Sequence, residues 1–426
     1  GPHPPRDLTT SSGNNAFIDL TWRPPEDPDI LAYDLYRSTV SGSLYVKIDS
    51  LVPDTSYRDT NLTNGIVYYY VATAVDSTYL ESEYSDEAWG APMGFDSGVL
   101  LVDETFNGPG LPYFPNDAQV DSLYHRMLEG CDYADWENSD GSNPPTLVDL
   151  APYSTVVWHS DEPVGYPNIS EDTTVLRTYL YAGGRLWLVG LRLLSDLSGD
   201  APWIYEPGEF PYDCLHLSGG DEQPEMDFIG ATGLLGYRSL DVDSVRVLPP
   251  WGGKLRWVNT LLSRDCEPIY TFNSASGDTH YQDHPCGIRY LGDDHRVVFF
   301  GFPLWQMREE EAILAGRTAL RDLGEPVGVE EESGLHLVPR VFKLGQNFPN
   351  PFARVTAISY QLPVPCRATL RVYNAAGRLV ETLVDEHQKA GVYRVKWEVQ
   401  DRAGGIYFYR LSAGDFSATR KMVMLR

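Results

Sequence analysis

The stretch ATLRVYNAAGRLVETLV, residues 368–384, reads as two half-buried strands around a tight turn. Leu370 and Val372 alternate before Asn374-Ala375-Ala376-Gly377, and Leu379 and Val380 follow it, a hairpin pattern closed by turn-forming residues. Outward from this hairpin, Val392, Tyr393, Val395 and Trp397 predict a third strand and Gly405 to Leu411 a fourth. On the N-terminal side, Pro349, Pro351, Pro363 and Pro365 confine the early segments to edges and turns, because proline has no N–H to give a ladder. Residues 338–426 are therefore expected to form a small antiparallel β-sandwich.

The same 89 residues hold 14 Lys and Arg against 6 Asp and Glu, about +8, while 19 against 54 upstream give about −35 in a chain of net −27. Within this basic segment LGQNFPNPF (344–352), VYNAAGRLV (372–380), GIYFYRL (405–411) and KMVML (421–425) occur in series. Together they resemble the C-terminal sorting domain of type IX secretion cargo, an immunoglobulin-like sandwich related to the Ig-like domain of flagellar hook-capping proteins. Ala353-Arg354 departs from the family pattern, which has another Asn-Pro there, and this touches a surface turn more than the fold. The resemblance implies export across two membranes, with residues 338–426 read by the secretion machinery and then cleaved or retained.

A chain of 426 residues exceeds what one core usually serves, so several domains are expected. No run of about 18 uncharged apolar residues is present, which argues against a transmembrane helix. The sequence shows no signal peptide, so Gly1 is expected to be a processed or artificial N-terminus, and Gly1-Pro2 suits a protease scar. The acidic body argues against nucleic acid or anionic lipid as a partner, since both call for basic patches. Five cysteines (Cys131, Cys214, Cys266, Cys286, Cys366) lack C-x-x-C spacing and make no zinc cage. Cys266 and Cys286 could pair in an oxidising compartment, the alternative being five buried thiols.

Residues 1–94 are expected to form a second all-β module, with alternation at Ile18-Leu20-Trp22, Tyr33-Leu35-Tyr36 and Tyr68-Tyr70-Ala72-Ala74, and turns at Pro24-Pro25 and Asn64-Gly65. This segment resembles a fibronectin type III domain, in which Trp22 matches the buried tryptophan of the second strand. Such modules mostly serve as spacers or binding surfaces.

Across residues 95–326 the periodicity changes. Near-continuous apolar runs at 98–103 (GVLLVD), 155–159 (TVVWH), 185–190 (RLWLVG) and 296–302 (RVVFFGF) predict strands buried on both faces of a parallel sheet. Helical stripes lie between them at 117–130 and 170–184, the latter with Ser170 as N-cap and Gly183-Gly184 as its stop, and a last helix is expected over 307–324. The order βαβαβ…βα predicts a doubly wound α/β sheet. YSTVVWHSDEP, LRTYLYAGGRLWLVG and HRVVFFGFPLWQM make this region similar to class I glutamine-amidotransferase-like, flavodoxin-like domains. That resemblance implies a nucleophilic cysteine after the third apolar strand and a His-Pro-Glu near the end. The sequence has Gly190-Leu191-Arg192 and Phe300-Gly301-Phe302-Pro303-Leu304 instead, so both catalytic positions read as vacant.

Ligands of open α/β sheets sit beyond the carboxyl ends of the strands. That location collects Asp103 and Glu104, then His159, Ser160 and Asp161, then Arg192, Ser195 and Asp196. A histidine near two carboxylates can serve as general base or metal ligand, which makes His159 and Asp161 catalytic candidates and Asp103, Glu104 and Asp161 metal candidates. A second cluster, His280, Asp283 and His284, sits in a loop. Residues 198–225 form a long acidic, aromatic insertion expected to act in recognition or as a cover, and residues 327–337 an acidic linker. No cofactor is implied. Calcium is the one ion that acidic turns at Asp140 and Asp293-Asp294 could hold, and no twelve-residue loop of regular ligand spacing is present.

The expected protein is secreted or cell-surface, multidomain and non-catalytic, with binding or structural work. Opposite charges on tail and body suit contacts with other surface proteins or with copies of itself, as in a filament or surface layer. The alternative is an extracellular hydrolase whose site is rebuilt in the α/β region on His159 with Asp161, or on His280 and His284.

Overall fold

Alternation in the first 94 residues resolves into two small sheets that share one core. The computed structural model describes residues 1–138, 142–161, 169–277, 280–327, 342–345, 347, 352, 354–399 and 404–425. The N-terminal strands are β1 (Arg6–Thr10), β2 (Phe17–Arg23), β3 (Ile30–Ser38), β4 (Val46–Val52), β5 (Ser56–Thr60), β6 (Tyr68–Asp76) and β7 (Ala88–Gly90). They pair as β1-β2-β5 and β4-β3-β6-β7, the strand arrangement of a fibronectin type III-like sandwich. Ile18, Leu20, Leu35, Tyr70 and Ala72 fill its centre, and Trp22 meets Tyr33 edge to face at 5.3 Å.

The middle of the chain runs β8 (Val99–Asp103), α1 (Asp117–Met127), β9 (Tyr133–Glu137), α2 (Leu147–Leu150), β10 (Thr155–Ser160), α3 (Thr173–Tyr181), β11 (Arg185–Gly190) and α4 (Leu193–Ser198). It continues through β12 (Trp203–Ile204), α5 (Phe210–Asp213), β13 (Leu217–Gln223), β14 (Phe228–Gly233), β15 (Leu240–Asp241), β16 (Val258–Ser263) and β17 (Glu267–Ser274). Strands β18 (Pro285–Leu291) and β19 (Arg296–Phe300) and helix α6 (Glu309–Asp322) complete it. One nine-stranded sheet has the order β15-β14-β17-β18-β19-β11-β10-β8-β9. From β9 to β19 its strands are parallel. The other half, β18, β17, β14 and β15, is antiparallel.

The expected all-parallel sheet is therefore corrected to a mixed one. The four apolar runs are the buried central strands, whereas the antiparallel strands carry polar residues and left no such signature in the sequence. Successive side chains along the central strands feed two cores. Leu101, Val157, Trp187, Val189, Val298 and Phe300 face α1 and α6, while Leu100, Val156, Trp158, Leu186, Leu188 and Phe299 face α3 and its neighbours. Helix α1 starts where a capping box closes between Asn116 and Gln119. Ser170 does not cap α3 as expected: a 3-10 turn, Ile169–Asp172, precedes the helix, and the Ser170 N–H donates to Asp196 at 2.8 Å. Nor is the insertion at 198–225 a plain loop, for α5 and strands β12 and β13 fold there, and these strands join β16 in a separate three-stranded sheet.

The N-terminal sandwich is packed against the central sheet's helical layer. Ala91, Met93, Ala151 and Ala182 form a small apolar cluster, Gly94 and Phe95 both donate to the Ala151 carbonyl, and Gly65 donates to Pro92 at 2.8 Å. Gly65, at φ +80°, is required there, because a Cβ would lie 2.4 Å from the Val148 Cα.

The tail has strands β20 (Lys343–Leu344), β21 (Val355–Leu362), β22 (Cys366–Asn374), β23 (Leu379–Gln388), β24 (Gly391–Glu398), β25 (Gly405–Ala413) and β26 (Phe416–Met424). They pair as β20-β21-β24 and β23-β22-β25-β26 around Ile358, Leu370, Val372, Trp397, Tyr409 and Met422. The hairpin turn is held by the Asn374 carboxamide, which accepts from Ala376 N and Arg378 N at 3.0 Å each. Leu379 is exposed rather than core, because the ladder shifts register between Val372 and Tyr373. The acidic linker lies mostly outside the described residues, as do Asp140, Pro349 and Pro351.

None of the five cysteines is in a disulfide, so Cys266 and Cys286 are not bridged, and only Cys366 is partly exposed. Burial raises the Cys214 thiol to about 12 and holds Cys286 well above its usual value. Titration with a thiol reagent is expected to count about one reactive cysteine in the native chain, and all five after denaturation without reductant. Two or fewer after denaturation would mean that bridges exist.

Candidate functional site

The parallel register itself assembles a polar row at the carboxyl ends of the strands. Asp103 of β8 is paired with Glu137 of β9 on one side and with His159 of β10 on the other. Period-two alternation puts Asp103 on the Leu101 face and His159 on the Val157 face, both beneath α1. Helix α1 contributes Asp117, Asp121 and Tyr124, at spacings of four and three, which carry all three to the side facing the strands.

His159 is fully buried, with Tyr124 stacked on its ring at 3.9 Å. Its Nδ1 lies 3.4 Å from Asp103 Oδ1, 3.6 Å from Asp161 Oδ2 and 3.3 Å from Thr105 Oγ1. Oxygen neighbours on this side hold a ring proton on Nδ1 in either charge state of the imidazole. Nε2 is buried and makes no hydrogen bond, and the same holds for Asp103 Oδ2 and Asp117 Oδ1.

Asp161 is differently employed. Its Oδ1 accepts from the Leu304 N–H at 2.5 Å and the Trp305 N–H at 3.2 Å, and Oδ2 accepts from the Tyr124 hydroxyl. It ties the turn after β19 to α1 and orients the histidine. Glu104 accepts from Asn138 Nδ2 at 3.3 Å and stands outside the donor sets centred on Asp103.

The electrostatics follow from burial. Desolvation pushes the Asp103 carboxyl up to about 8, against the pull of His159. It also disfavours the His159 imidazolium, yet the fields of Asp103, Asp161 and Asp121 outweigh it and raise the ring to about 9. Asp121 is raised too, by burial and then by Asp117. The cluster is therefore short of positive charge and retains protons at neutral pH.

Of the residues singled out in the sequence, Asp103, His159 and Asp161 come together, and the rest do not join them. The Ser195 hydroxyl donates to Glu222, and Asp196 accepts from Ser170. His280 is exposed and lies 3.2 Å from Asp221, while His284 belongs to the same loop between β17 and β18, with the two rings 6.1 Å apart. Among the described residues, neither joins a set of three metal-type donors. Asp117, Asp121 and Glu137 were not foreseen. Their signal lay in the DAQVD spacing of α1 and in an edge strand, YADWE, too polar to stand out.

At the next strand, Arg192 takes the sharp turn from β11 into α4 with φ 62° and ψ 16°, a left-handed conformation that costs a non-glycine residue about 1–2 kcal/mol. Its guanidinium lies 4.8 Å from the centre of the Trp257 ring. After β19, Phe302 and Leu304 are fully buried.

Residues 346–425 match the family model described as a secretion system C-terminal sorting domain. The chain thus carries a type IX sorting domain, which marks it for export to the cell surface or the extracellular space. Further relatives each align with about a fifth of the chain. It is 44% identical over 91 residues to an amylopullulanase of Thermoanaerobacter thermohydrosulfuricus, which is 21% of this chain and 6% of that protein. A Thermoanaerobacterium saccharolyticum amylopullulanase is 41% identical over 91 residues, again 21% of this chain and 7% of that one. Among solved structures, an Fn3-like protein from Clostridium thermocellum is 33% identical, covering 21% of this chain and 93% of that one, with a TM-score of 0.20. A β-1,2-glucanase from Parabacteroides distasonis is 29% identical over 22% of this chain and 13% of its own, with a TM-score of 0.19. The chain spans well under a tenth of the curated relatives it matches. Among the described residues no helix is long and apolar enough to cross a membrane.

The raised groups make stability pH-dependent. Asp103 keeps a proton that the unfolded chain releases near 4, and His159 keeps one that it releases near 6.5, so both contributions are lost on the alkaline side. The thermal midpoint of the central region is expected to fall as pH rises from 6.5 to 9, at about 2–4 °C per kcal/mol lost. Asp103→Asn should remove most of that slope in a calorimetric pH series, and a wild-type midpoint that climbs through this window contradicts the assignment.

Proposed function

We propose that this protein is an exported, non-catalytic binding or structural component of the cell surface, built as a fibronectin type III-like unit (1–94), an α/β unit (95–326), a linker (327–337) and a sorting domain (338–426). We read the α/β unit as a degenerate relative of class I glutamine-amidotransferase-like, flavodoxin-like domains. The observation that carries this reading is Arg192, which occupies the strained strand-to-helix turn where such enzymes need a cysteine nucleophile. Phe302 and Leu304 support it from the late strand, where a catalytic histidine would be required. The 91 residues shared with amylopullulanases are too small a share of those proteins to bring their activity to this chain.

In this reading the sorting domain engages the secretion machinery, and its lasting partners are other surface proteins or copies of the chain. A body near −35 joined to a tail near +8 favours head-to-tail attraction, and a heterologous contact that does not close builds a fibre. Light scattering of the full chain at low ionic strength is expected to show assembly that about 0.5 M salt reverses, since screening shortens the reach of surface charge to a few ångström. A monomer at high concentration in both salts overturns the filament reading. Intact mass from the native cell surface then separates a retained tail from one removed after export.

A second reading is favoured by one observation, the buried pairing of His159 with Asp103 and Asp161. It makes the α/β unit an extracellular hydrolase with a rebuilt site. Turnover on an ester, peptide or glycoside panel, lost in His159→Ala, is the result it needs, and an inactive wild type removes it.

A further inference from the structure

We propose that the carboxyl ends of β9, β8 and β10, beneath α1, form a binding site for a divalent cation, with Asp103, Asp121 and His159 as its protein ligands. One donor atom from each of these three lies within 4.8 Å of the other two. A cation held at about 2.1–2.4 Å from each donor spans at most about 4.8 Å between opposite ligands, so the set needs little movement to close on one. Asp103 is also the shared member of a second set, with Asp117 and Glu137, whose donor atoms meet the same limit.

An acidic cluster alone would not make a site. Here two independent groups point to a missing positive centre. His159 is fully buried and its Nε2 makes no hydrogen bond, while Asp103 is 4% exposed and no N–H or cationic donor reaches its Oδ2, which has only the Asp117 carboxyl beside it. The only ion pair of Asp103 among the described residues is with His159, and no Lys or Arg reaches it. Buried polar atoms of this kind are ordinarily satisfied by a partner or an ion.

The chemistry of the set narrows the ion. Once the ion has displaced the protons of Asp103 and His159 Nε2, two carboxylates and a neutral imidazole match a dication in charge. One nitrogen among oxygens suits Mn²⁺ or Zn²⁺ better than Ca²⁺, which takes an oxygen cage. Nδ1 of His159 faces Asp103 and Asp161, so the proton stays on that nitrogen and leaves Nε2 free to ligate, the usual carboxylate-histidine-metal order. Asp161, already engaged by Tyr124, Leu304 and Trp305, would be the orienting carboxylate rather than a ligand. A route exists as well. Half-buried Asp121 also lines an open depression of about 410 Å³ between α1 and Tyr133 of β9, with His125 and Glu129. The proposal stands apart from the question of catalysis, since an ion here is compatible with a structural or an enzymatic α/β unit.

The test is Mn²⁺ titration of the full chain, followed by electron paramagnetic resonance. One tight site per chain is expected above a weak acidic background, with nitrogen coupling from an imidazole and competition by Zn²⁺. Asp121→Asn, at the half-buried rim of the cluster and compatible with folding, should weaken that site about tenfold or more, and His159→Gln should abolish the nitrogen coupling. Thermal unfolding should shift upward with Mn²⁺ in the wild type and not in Asp121→Asn. The proposal is overturned by a folded wild type with no tight Mn²⁺ site, by a site that Asp121→Asn leaves unchanged, or by bound Mn²⁺ without nitrogen coupling.

Discussion

The central strands are buried on both faces, and the rest of the molecule is arranged around that constraint. Trp187 shows how: it is fully buried in β11, between β10 and β19, against Tyr124 from α1 and Phe300 from β19. A strand of this kind must be roofed above and below, so helices collect on both sides and the chain emerges to solvent only at the strand ends. There the apolar run stops, and the next residues inward on the α1 face are Asp103 and His159. The polar cluster is thus a consequence of strand length and register.

That cluster is costly to bury, and the structure compensates only in part. Tyr124 covers the imidazole with its ring and gives its hydroxyl to Asp161, and two backbone N–H groups from the turn after β19 complete Asp161. Asp103 receives the Thr105 N–H at 2.6 Å on one oxygen and no N–H donor on the other. Incomplete satisfaction of this kind is usually found where a group serves something other than stability. It contrasts with Asp59 in the N-terminal sandwich, which receives both Arg37 and Tyr70 and reads as architecture.

The three units differ in how their charge is used. The N-terminal sandwich is joined to the helices of the central mixed sheet by backbone hydrogen bonds and a glycine contact too close for any side chain, which makes a joint rather than a tether. The sorting domain carries the opposite charge from the body, and its recognition by an export system is a property of its own sandwich and motifs. Such a design lets the exported body vary while the address stays constant.

Both sandwiches, the buried parallel strands and the sorting motifs were legible in the sequence, because each rests on local patterns: alternation, turn residues and uninterrupted apolar runs. His159, Asp103 and Asp161 were also visible, since strand ends in an open sheet are where ligands gather. The antiparallel half of the sheet was not, for β14, β15 and β17 are short or polar and find partners only through long-range pairing. Asp117, Asp121 and Glu137 stayed hidden for the same reason. A helix spacing and an edge strand say nothing about what they face until register sets Glu137, Asp103 and His159 in one row and α1 is laid across it. Sequence by itself determined the kinds of element and the export address. Tertiary structure decided which charges meet, because that depends on strand order and register, which no local pattern encodes.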